Sequence, residues 1–253
     1  MVLLVFVDLD PDLAALDALG GFFVLRTGVP PRGPLPTLAR AYTAREVDHP
    51  GEVYGDPIIF RVRKVADGLR APDRIAVSVA QQALVARLWS VALGAAALYG
   101  HLPDLDPELV RWDPDGSAPD DLWLSEVRAL PASAIGTVVR EGHLGPLEAA
   151  LRSRYRVAQG LLRGNAASAL TGAWRQLDRW ARTHDRTDVA DRARTLAVGL
   201  LRGPGLAGTL GPRTLRRRSC CLYYRLPGGG LCGDCCFDRA PDRTAGRRGS
   251  PRS

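Results

Sequence analysis

The residues of this chain best suited to chemistry are its five cysteines, which all lie between positions 220 and 236. Four of them, Cys220, Cys221, Cys232 and Cys235, form the pairs CC and C-x2-C, separated by ten residues. Two local pairs joined by a tight loop are the general plan of a four-thiolate metal site. The spacing therefore predicts a metal or cluster site before it predicts disulfides.

Spacing alone leaves two metal centres open. Zinc knuckles draw their ligand pairs from C-x2-C or a similar spacing, because a turn then lets both sulphurs converge on one metal. The sulphurs of adjacent cysteines such as Cys220 and Cys221 converge poorly on a single metal ion. A two-iron cluster takes its four terminal thiolates on two metals, which relaxes the geometric demand on the adjacent residues Cys220 and Cys221. Zinc and a two-iron cluster both remain possible at this point, and a Cys220–Cys221 disulfide is a weaker alternative.

The elements that must position these cysteines are predicted from hydrophobic periodicity. The longest apolar helix, with Asp73 as its cap, runs to Tyr99 and forms the core of the fold. Two short runs that can pair as a hairpin follow it, at 109–112 and 122–127. A strand is also expected at 22–25. Further helices are expected at 12–19, 38–47, 147–157, 161–183 and 189–201. The segment 58–69 also has helical spacing, but its β-branched residues leave a strand as the alternative.

The predicted fold class is mainly α (α+β), a helical domain with a small β element and a C-terminal cysteine module. The glycines and prolines of 203–212 indicate a linker. We therefore expect a helical domain at 1–212, the cysteine module at 213–236, and a disordered Arg-rich tail at 237–253.

Charge is concentrated at the C-terminus. From Arg213 onward, ten arginines face three aspartates, a surplus of seven that equals the net charge of +7 of the whole chain. The first 212 residues are thus neutral, and no basic helix face with aromatic partners predicts nucleic-acid binding. The apolar stretch 2–7 is too short for a signal peptide, and no uncharged run is long enough to span a bilayer. We expect a cytoplasmic protein without a transmembrane segment.

Residues 217–225 and 228–235, which read RRSCCLYYR and GGGLCGDC, resemble the C-terminal module of the FhuF-like ferric-siderophore reductases. Weaker resemblance extends to 86–90 and 164–169. The resemblance implies a [2Fe-2S] cluster held by Cys220, Cys221, Cys232 and Cys235. Two residues depart from the family pattern: Cys236 is an extra thiol beside the last ligand, and Arg163 replaces an aromatic residue.

Residues around the cysteines are expected to tune such a cluster. Its net charge is negative, so nearby cations and backbone N–H groups directed at the sulphurs raise its reduction potential. Arg217, Arg218 and Arg225 are candidates for this tuning or for docking an electron donor. The glycines at 228–230 allow close approach of backbone amides. Tyr223 and Tyr224 are expected to pack the module.

The resemblance implies one-electron reduction of ferric siderophore iron to ferrous iron, which releases the iron in the cytoplasm. No flavin or nicotinamide site is visible, so the electron must come from a donor such as a ferredoxin. The alternatives are a non-catalytic iron-sulphur electron carrier or iron sensor, and a siderophore-binding protein with structural zinc.

Outside the module, the sequence mostly predicts structural roles. Arg87 in the apolar helix requires a buried acidic partner. The small residues 164–169 indicate close packing, with Asn165 and Ser168 as alternative pocket residues. The scattered histidines, His49, His101, His143 and His184, are expected at the surface or at helix caps.

Overall fold

The computed structural model describes residues 13–31, 33–43 and 54–241. The apolar stretch 2–7, His49 and the tail from position 242 lie outside the described residues. The helices are α1 (Leu38–Thr43), α2 (Pro57–Leu69), α3 (Asp73–Tyr99), α4 (Gly145–Arg154), α5 (Gln159–Thr183) and α6 (Thr187–Leu201). The strands are β1 (Arg26–Thr27), β2 (His101–Pro103), β3 (Val110–Trp112), β4 (Leu122–Leu124) and β5 (Ala129–Pro131). The predicted mainly helical class is confirmed.

Helix α3 is the centre of the protein. It is apolar on almost every side and packs against α2, α5 and α6, as a core helix must when it has no solvent face. Gly94 lets the Phe23 ring pack directly against the backbone of α3, because a Cβ at this position would lie 2.7 Å from the ring. The predicted helix is confirmed, but Pro72 occupies its N-cap and Asp73 lies in the first turn without capping it.

Helix α3 also has the length and apolar composition needed to cross a membrane. However, 78% of its most apolar window is buried inside the protein. A central core helix explains that composition, because every side of it contacts another apolar surface.

Arg87 interrupts this apolar helix and carries the expected ion pair. Its Nε donates to Asp121 at 2.8 Å, and both side chains are almost fully buried. Its remaining N–H groups donate to backbone carbonyls, including that of Val24 at 2.6 Å. The guanidinium thereby ties α3 to the loop preceding β1 and to the chain before β4.

The small β element is confirmed, with one difference in position. Strands β3 and β4 pair antiparallel, as the predicted hairpin requires, and β1 joins β4 in parallel. The predicted strand at 22–25 is wrong, because the strand occupies Arg26–Thr27 and the preceding residues turn. Phe23 in that turn is fully buried, and its apolar neighbours produced the strand-like pattern. Strands β2 and β5 form a second antiparallel pair.

A π-helical segment, Thr137–Leu144, leads into α4 and was not predicted. Its His143 is buried, so the expected surface or capping position is wrong for this histidine. The Leu105 carbonyl can only accept, so His143 Nε2 carries the proton in their 2.6 Å bond, and Nδ1 accepts from the Tyr42 hydroxyl at 2.8 Å. Burial lowers the pKa of His143 to about 4 despite the nearby Leu105 carbonyl and Asp106 charge.

The segment predicted to be a linker, 203–212, forms packed turns. Leu206 and Leu210 are buried in the same core as the helices, and Leu210 forms a β-bridge with Arg217. Leu222 and Leu226 of the cysteine segment also enter this core. The cysteine segment is therefore anchored to the helical domain at both ends of its first cysteine pair.

Candidate cysteine metal centre

The cysteines lie in a segment with little regular structure; Cys221 and Cys235 are buried, and the other three are half-buried. The described thiols lie close to one another. Cys221 and Cys232, which come from different sequence pairs, have their sulphurs 3.7 Å apart. Cys220 lies near enough to Cys221, Cys235 and Cys236 for each of these thiols to influence its pKa. The loop between the two sequence pairs thus brings together all the cysteines predicted as ligands.

The distance between Cys221 and Cys232 fits two thiolates on one metal. Thiolates about 2.3 Å from a tetrahedral metal lie about 3.8 Å from each other. Across residues 13–31, 33–43 and 54–241, however, no group of three or more His, Cys, Asp or Glu side chains is arranged to hold a single ion. A structural zinc and a [2Fe-2S] cluster both take four thiolates, and a 3.7 Å contact between two of the thiols is compatible with either centre.

Two backbone N–H groups are directed at sulphurs, as expected for a tuned cluster site. The N–H of Leu222 donates to Cys220 Sγ at 3.2 Å, and that of Phe237 donates to Cys235 Sγ at 3.5 Å. Leu222 adopts a left-handed backbone with φ of 69°, a conformation that is strained for leucine. Tertiary packing of the buried Leu222 side chain therefore holds the turn that aims its amide at Cys220.

These two N–H donors belong to residues that follow the cysteines directly in the chain. The sequence instead predicts that the backbone amides of the glycines at 228–230 approach the cluster. Gly229 has a different role. A Cβ on it would overlap the Tyr223 carbonyl oxygen, so glycine there lets the loop fold back over the short 3₁₀ turn Tyr223–Arg225. The glycines make the loop between the cysteine pairs compact, which brings Cys232 to Cys221.

Arg217 is the central polar residue beneath the cysteines. Its Nε donates to Asp234 at 3.0 Å, and its side chain is 1% exposed. Its Nη2 donates to Ser168 at 2.6 Å, and its Nη1 donates to Asn165. Its backbone N–H also donates to the Asp234 carbonyl at 2.8 Å. Arg217 therefore joins the two ends of the cysteine segment to helix α5.

Asp234, between Cys232 and Cys235, is the acidic partner of Arg217. Burial by itself raises the pKa of Asp234, but hydrogen bonds with Ser168 and Arg217 and the Arg217 charge bring that pKa below its usual value. The carboxylate stays ionised and fixed in the CGDC turn. Because both partners are buried, this pair contributes more to position than an exposed ion pair of the same geometry.

The network continues into helix α3. Asn165 Nδ2 donates to the Gln81 side chain at 2.9 Å, and Ser78 Oγ donates to the Cys221 carbonyl at 2.8 Å. A Cβ on Gly164 would overlap Ser219 Oγ. The expected close packing at 164–169 is confirmed, since Asn165 and Ser168 bind Arg217. Ser78 and Gln81 were missed, because nothing in the sequence marks polar residues of an apolar helix as contacts of a segment far along the chain.

The remaining arginines of the module lie closer to solvent. Arg216 donates to the carbonyls of Cys235 at 2.8 Å and Phe237 at 2.7 Å, and pairs with Asp238. The start of the segment predicted as a disordered tail is thus held by Arg216. Arg218 and Arg225 are exposed. Arg217 is buried, so tuning is compatible with its position, whereas direct contact with a donor protein is not.

The tyrosines differ in environment. Tyr224 is half-buried, and its ring meets Phe237 edge-on at 5.5 Å. Arg225 lies over the Tyr224 ring and donates to its hydroxyl at 3.2 Å. Tyr223 is 42% exposed, so the expected packing role is wrong for this residue. Leu222 and Leu226 supply that packing, because their side chains reach the apolar core on either side of the tyrosines.

Burial makes the thiols of Cys220, Cys232 and Cys236 weaker acids in the absence of a bound metal. It raises the pKa of Cys220 and Cys232, and the neighbouring thiols add to this rise. Burial likewise raises the pKa of Cys236 to about 11, with further contributions from Cys220 and Cys235. Close thiolates repel one another and require a cation between them, as iron or zinc provides.

Comparison with known proteins agrees with this geometry. Residues 217–237 match the family model described as the FhuF 2Fe-2S C-terminal domain, and this range contains all five cysteines. A search of curated proteins found no match to the chain. The resemblance to FhuF-like proteins is confirmed for this segment, and with it the assignment of a [2Fe-2S] cluster to the cysteine site.

Proposed function

We propose that this protein is a cytoplasmic ferric-siderophore reductase, which converts the bound ferric iron to ferrous iron and so releases it. The main supporting observation is that residues 217–237 match the FhuF 2Fe-2S domain, in a segment whose fold brings the sulphurs of Cys221 and Cys232 to 3.7 Å of each other. Cys220, Cys221, Cys232 and Cys235 would hold the cluster, with Cys236 beside them. A [2Fe-2S] cluster bound there supplies one electron, the number that ferric iron needs to become ferrous.

The chain's own residues hold the thiols in place and limit water. Cys221 and Cys235 are buried, and the carbonyls of these two residues accept hydrogen bonds from Ser78 and Arg216. The N–H groups of Leu222 and Phe237 favour the more negative, reduced state of the site. A fixed, partly shielded thiolate set of this kind suits repeated one-electron transfer with little rearrangement.

The surface beside the site suits an acidic electron donor. Arg218 and Arg225 are exposed near the cysteines, and Tyr223 exposes an apolar ring between them. Positive charge steers the approach of a negatively charged protein such as a ferredoxin, and aromatic rings with arginine are enriched in protein contacts. A ferredoxin-type donor docked there would deliver its electron close to the thiolates.

Reduction of the iron would by itself release it from the siderophore. Siderophores bind ferric iron through hard oxygen donors, and ferrous iron has lower charge and is softer. The ferrous ion is therefore held more weakly and passes to other ligands. This consequence needs no further catalytic side chain from the protein.

The test uses protein purified without oxygen and reduced stoichiometrically. Mixing it with one equivalent of a ferric trihydroxamate, in the presence of a colorimetric ferrous chelator, should yield one trapped ferrous ion per reduced cluster. The Cys232→Ser variant is the control and should yield none. An electron carrier or an iron sensor would stay reduced under these conditions, and that outcome would reject the reductase assignment. Colourless protein that contains zinc but no iron would reject the cluster.

A further inference from the structure

A cavity of about 270 Å³ lies within the helical domain. It is formed by the π-helical segment and α4 on one side, by α5 and α3 on another, and by the turn that follows α6. It is large enough for an arm of a siderophore but not for the whole ferric chelate. Its lining includes Gln81, Arg140, Glu148, Leu162, Arg163 and Leu206.

Arg140 lines this cavity, and no hydrogen-bond acceptor for its Nε is found among the described residues. Its Nε is buried and has no hydrogen-bond partner. Its guanidinium lies against two glycines, because Cβ atoms on Gly136 and Gly203 would each come within 2.9 Å of an Nη atom. A buried guanidinium N–H without an acceptor has lost its hydration and gained no hydrogen bond in return. The fold therefore leaves room for this cation without supplying its partner.

The other charges of the cavity do not satisfy Arg140. Glu148 is engaged by Arg163 at 3.1 Å and also accepts from Gln159. Glu141 is exposed at the rim, where water screens its charge. Arg140 also lies within the π-helical segment, and such irregular turns are frequent at functional sites. An anion that enters the cavity would meet one unpaired cation.

The wall of this cavity is joined to the cysteine segment by hydrogen bonds. Gln81, in the wall, accepts from Asn165 at 2.9 Å, and its Nε2 donates to the Leu162 carbonyl at 3.2 Å. Asn165 accepts from Arg217, which donates to Asp234 between Cys232 and Cys235. Three successive hydrogen bonds therefore connect the cavity wall to the turn that carries Cys232 and Cys235.

We propose that this cavity binds a carboxylate-bearing arm of a ferric siderophore, with Arg140 as the specificity-determining residue. The inference rests on the proposed function for the identity of the ligand. Arg140 would make the protein bind anionic ferric chelates more tightly than cationic ones. A carboxylate supplies both the negative charge and the acceptor oxygens that the cavity lacks, and arginine is the residue best suited to bind it.

The test separates binding from reduction by using gallium(III) chelates, which cannot be reduced under these conditions. Two probes share one trihydroxamate frame: one carries a pendant ammonium, and in the other that amine is succinylated to a carboxylate. Titration calorimetry with the cluster-loaded protein should show at least tenfold tighter binding of the carboxylate probe. Arg140→Gln should weaken that probe about 10- to 100-fold and leave the ammonium probe within about twofold.

Arg175→Gln is the matched control, because Arg175 is an exposed arginine of α5 outside this cavity. It should bind both probes like the parent protein. Equal affinity of the parent protein for both probes, or an unchanged preference in Arg140→Gln, would overturn the inference. The comparison of probes on the unaltered protein keeps the inference testable even if Arg140→Gln folds poorly.

The outcome also distinguishes this inference from the proposed function. Arg140-dependent binding of the gallium probe without reduction of the ferric chelate would reject the reductase and keep the site. Reduction of the ferric chelate without Arg140-dependent binding would keep the reductase and reject the site.

Discussion

Two neighbouring arginines provide the sharpest test of how the cysteine segment is held. Arg217 is buried and forms hydrogen bonds with Asp234, Asn165 and Ser168, whereas Arg218 is exposed. Arg217→Met keeps the length of the side chain and removes its charge and donors. It leaves the Asp234 carboxylate buried without its cation. Removing one partner of a buried ion pair costs about 3–5 kcal/mol.

For a protein of this size, that loss lowers the midpoint of thermal unfolding by about 6–20 °C. Arg218→Met should change stability by no more than about 0.5 kcal/mol, because its side chain has no buried partner. The assay is anaerobic guanidinium unfolding of the cluster-loaded proteins, followed by cluster absorbance and by far-ultraviolet circular dichroism. We expect the absorbance to be lost at much lower denaturant in Arg217→Met alone.

A double-mutant cycle with Asp234→Asn tests whether the ion pair is the cause. The double variant leaves no buried, unpaired carboxylate, so it should be less unstable than the sum of the single variants, with a coupling energy of about 2–3 kcal/mol. Equal unfolding midpoints for Arg217→Met and Arg218→Met, or additive effects in the cycle, would refute the role given to Arg217.

Three further predictions concern other parts of the protein. Cys236→Ser should leave the visible spectrum of the cluster unchanged, whereas Cys232→Ser should abolish or alter it; spectra of the anaerobic proteins decide whether Cys236 is a ligand. Replacing both Arg218 and Arg225 by Ser should slow reduction by an acidic ferredoxin and flatten its dependence on ionic strength in stopped-flow measurements; an unchanged salt dependence would exclude this surface. The pKa of His143 is about 4 in the folded protein and about 6.5 in the unfolded chain, so the unfolded chain binds more protons between these values. Stability should therefore fall by up to about 3 kcal/mol as pH falls from about 6.5 to 4, and denaturant titrations should show a shallower fall for His143→Gln.

Much of this protein follows from local sequence. The periodic apolar residues of α3 determine a helix long enough to form the core, and the run of small residues at 164–169 indicates a close helix contact. The spacing of the cysteines predicts a four-thiolate site, since ligand pairs are chelates made by neighbouring residues. The motif from Arg217 to Cys235 selects iron and sulphur over zinc by resemblance, and the family match agrees.

The sequence could not assign roles that depend on partners far along the chain. Arg217 and Arg218 are adjacent and chemically identical, yet only the fold directs one of them toward Asn165 and leaves the other in water. Likewise, the packing of the π-helical segment against the turn after α6 buries Arg140 Nε without an acceptor from residues 13–31, 33–43 or 54–241. Local sequence thus predicts a thiolate metal centre, and the family match identifies it as a [2Fe-2S] site, whereas burial and long-range hydrogen bonds decide which charged side chains support the cysteine segment.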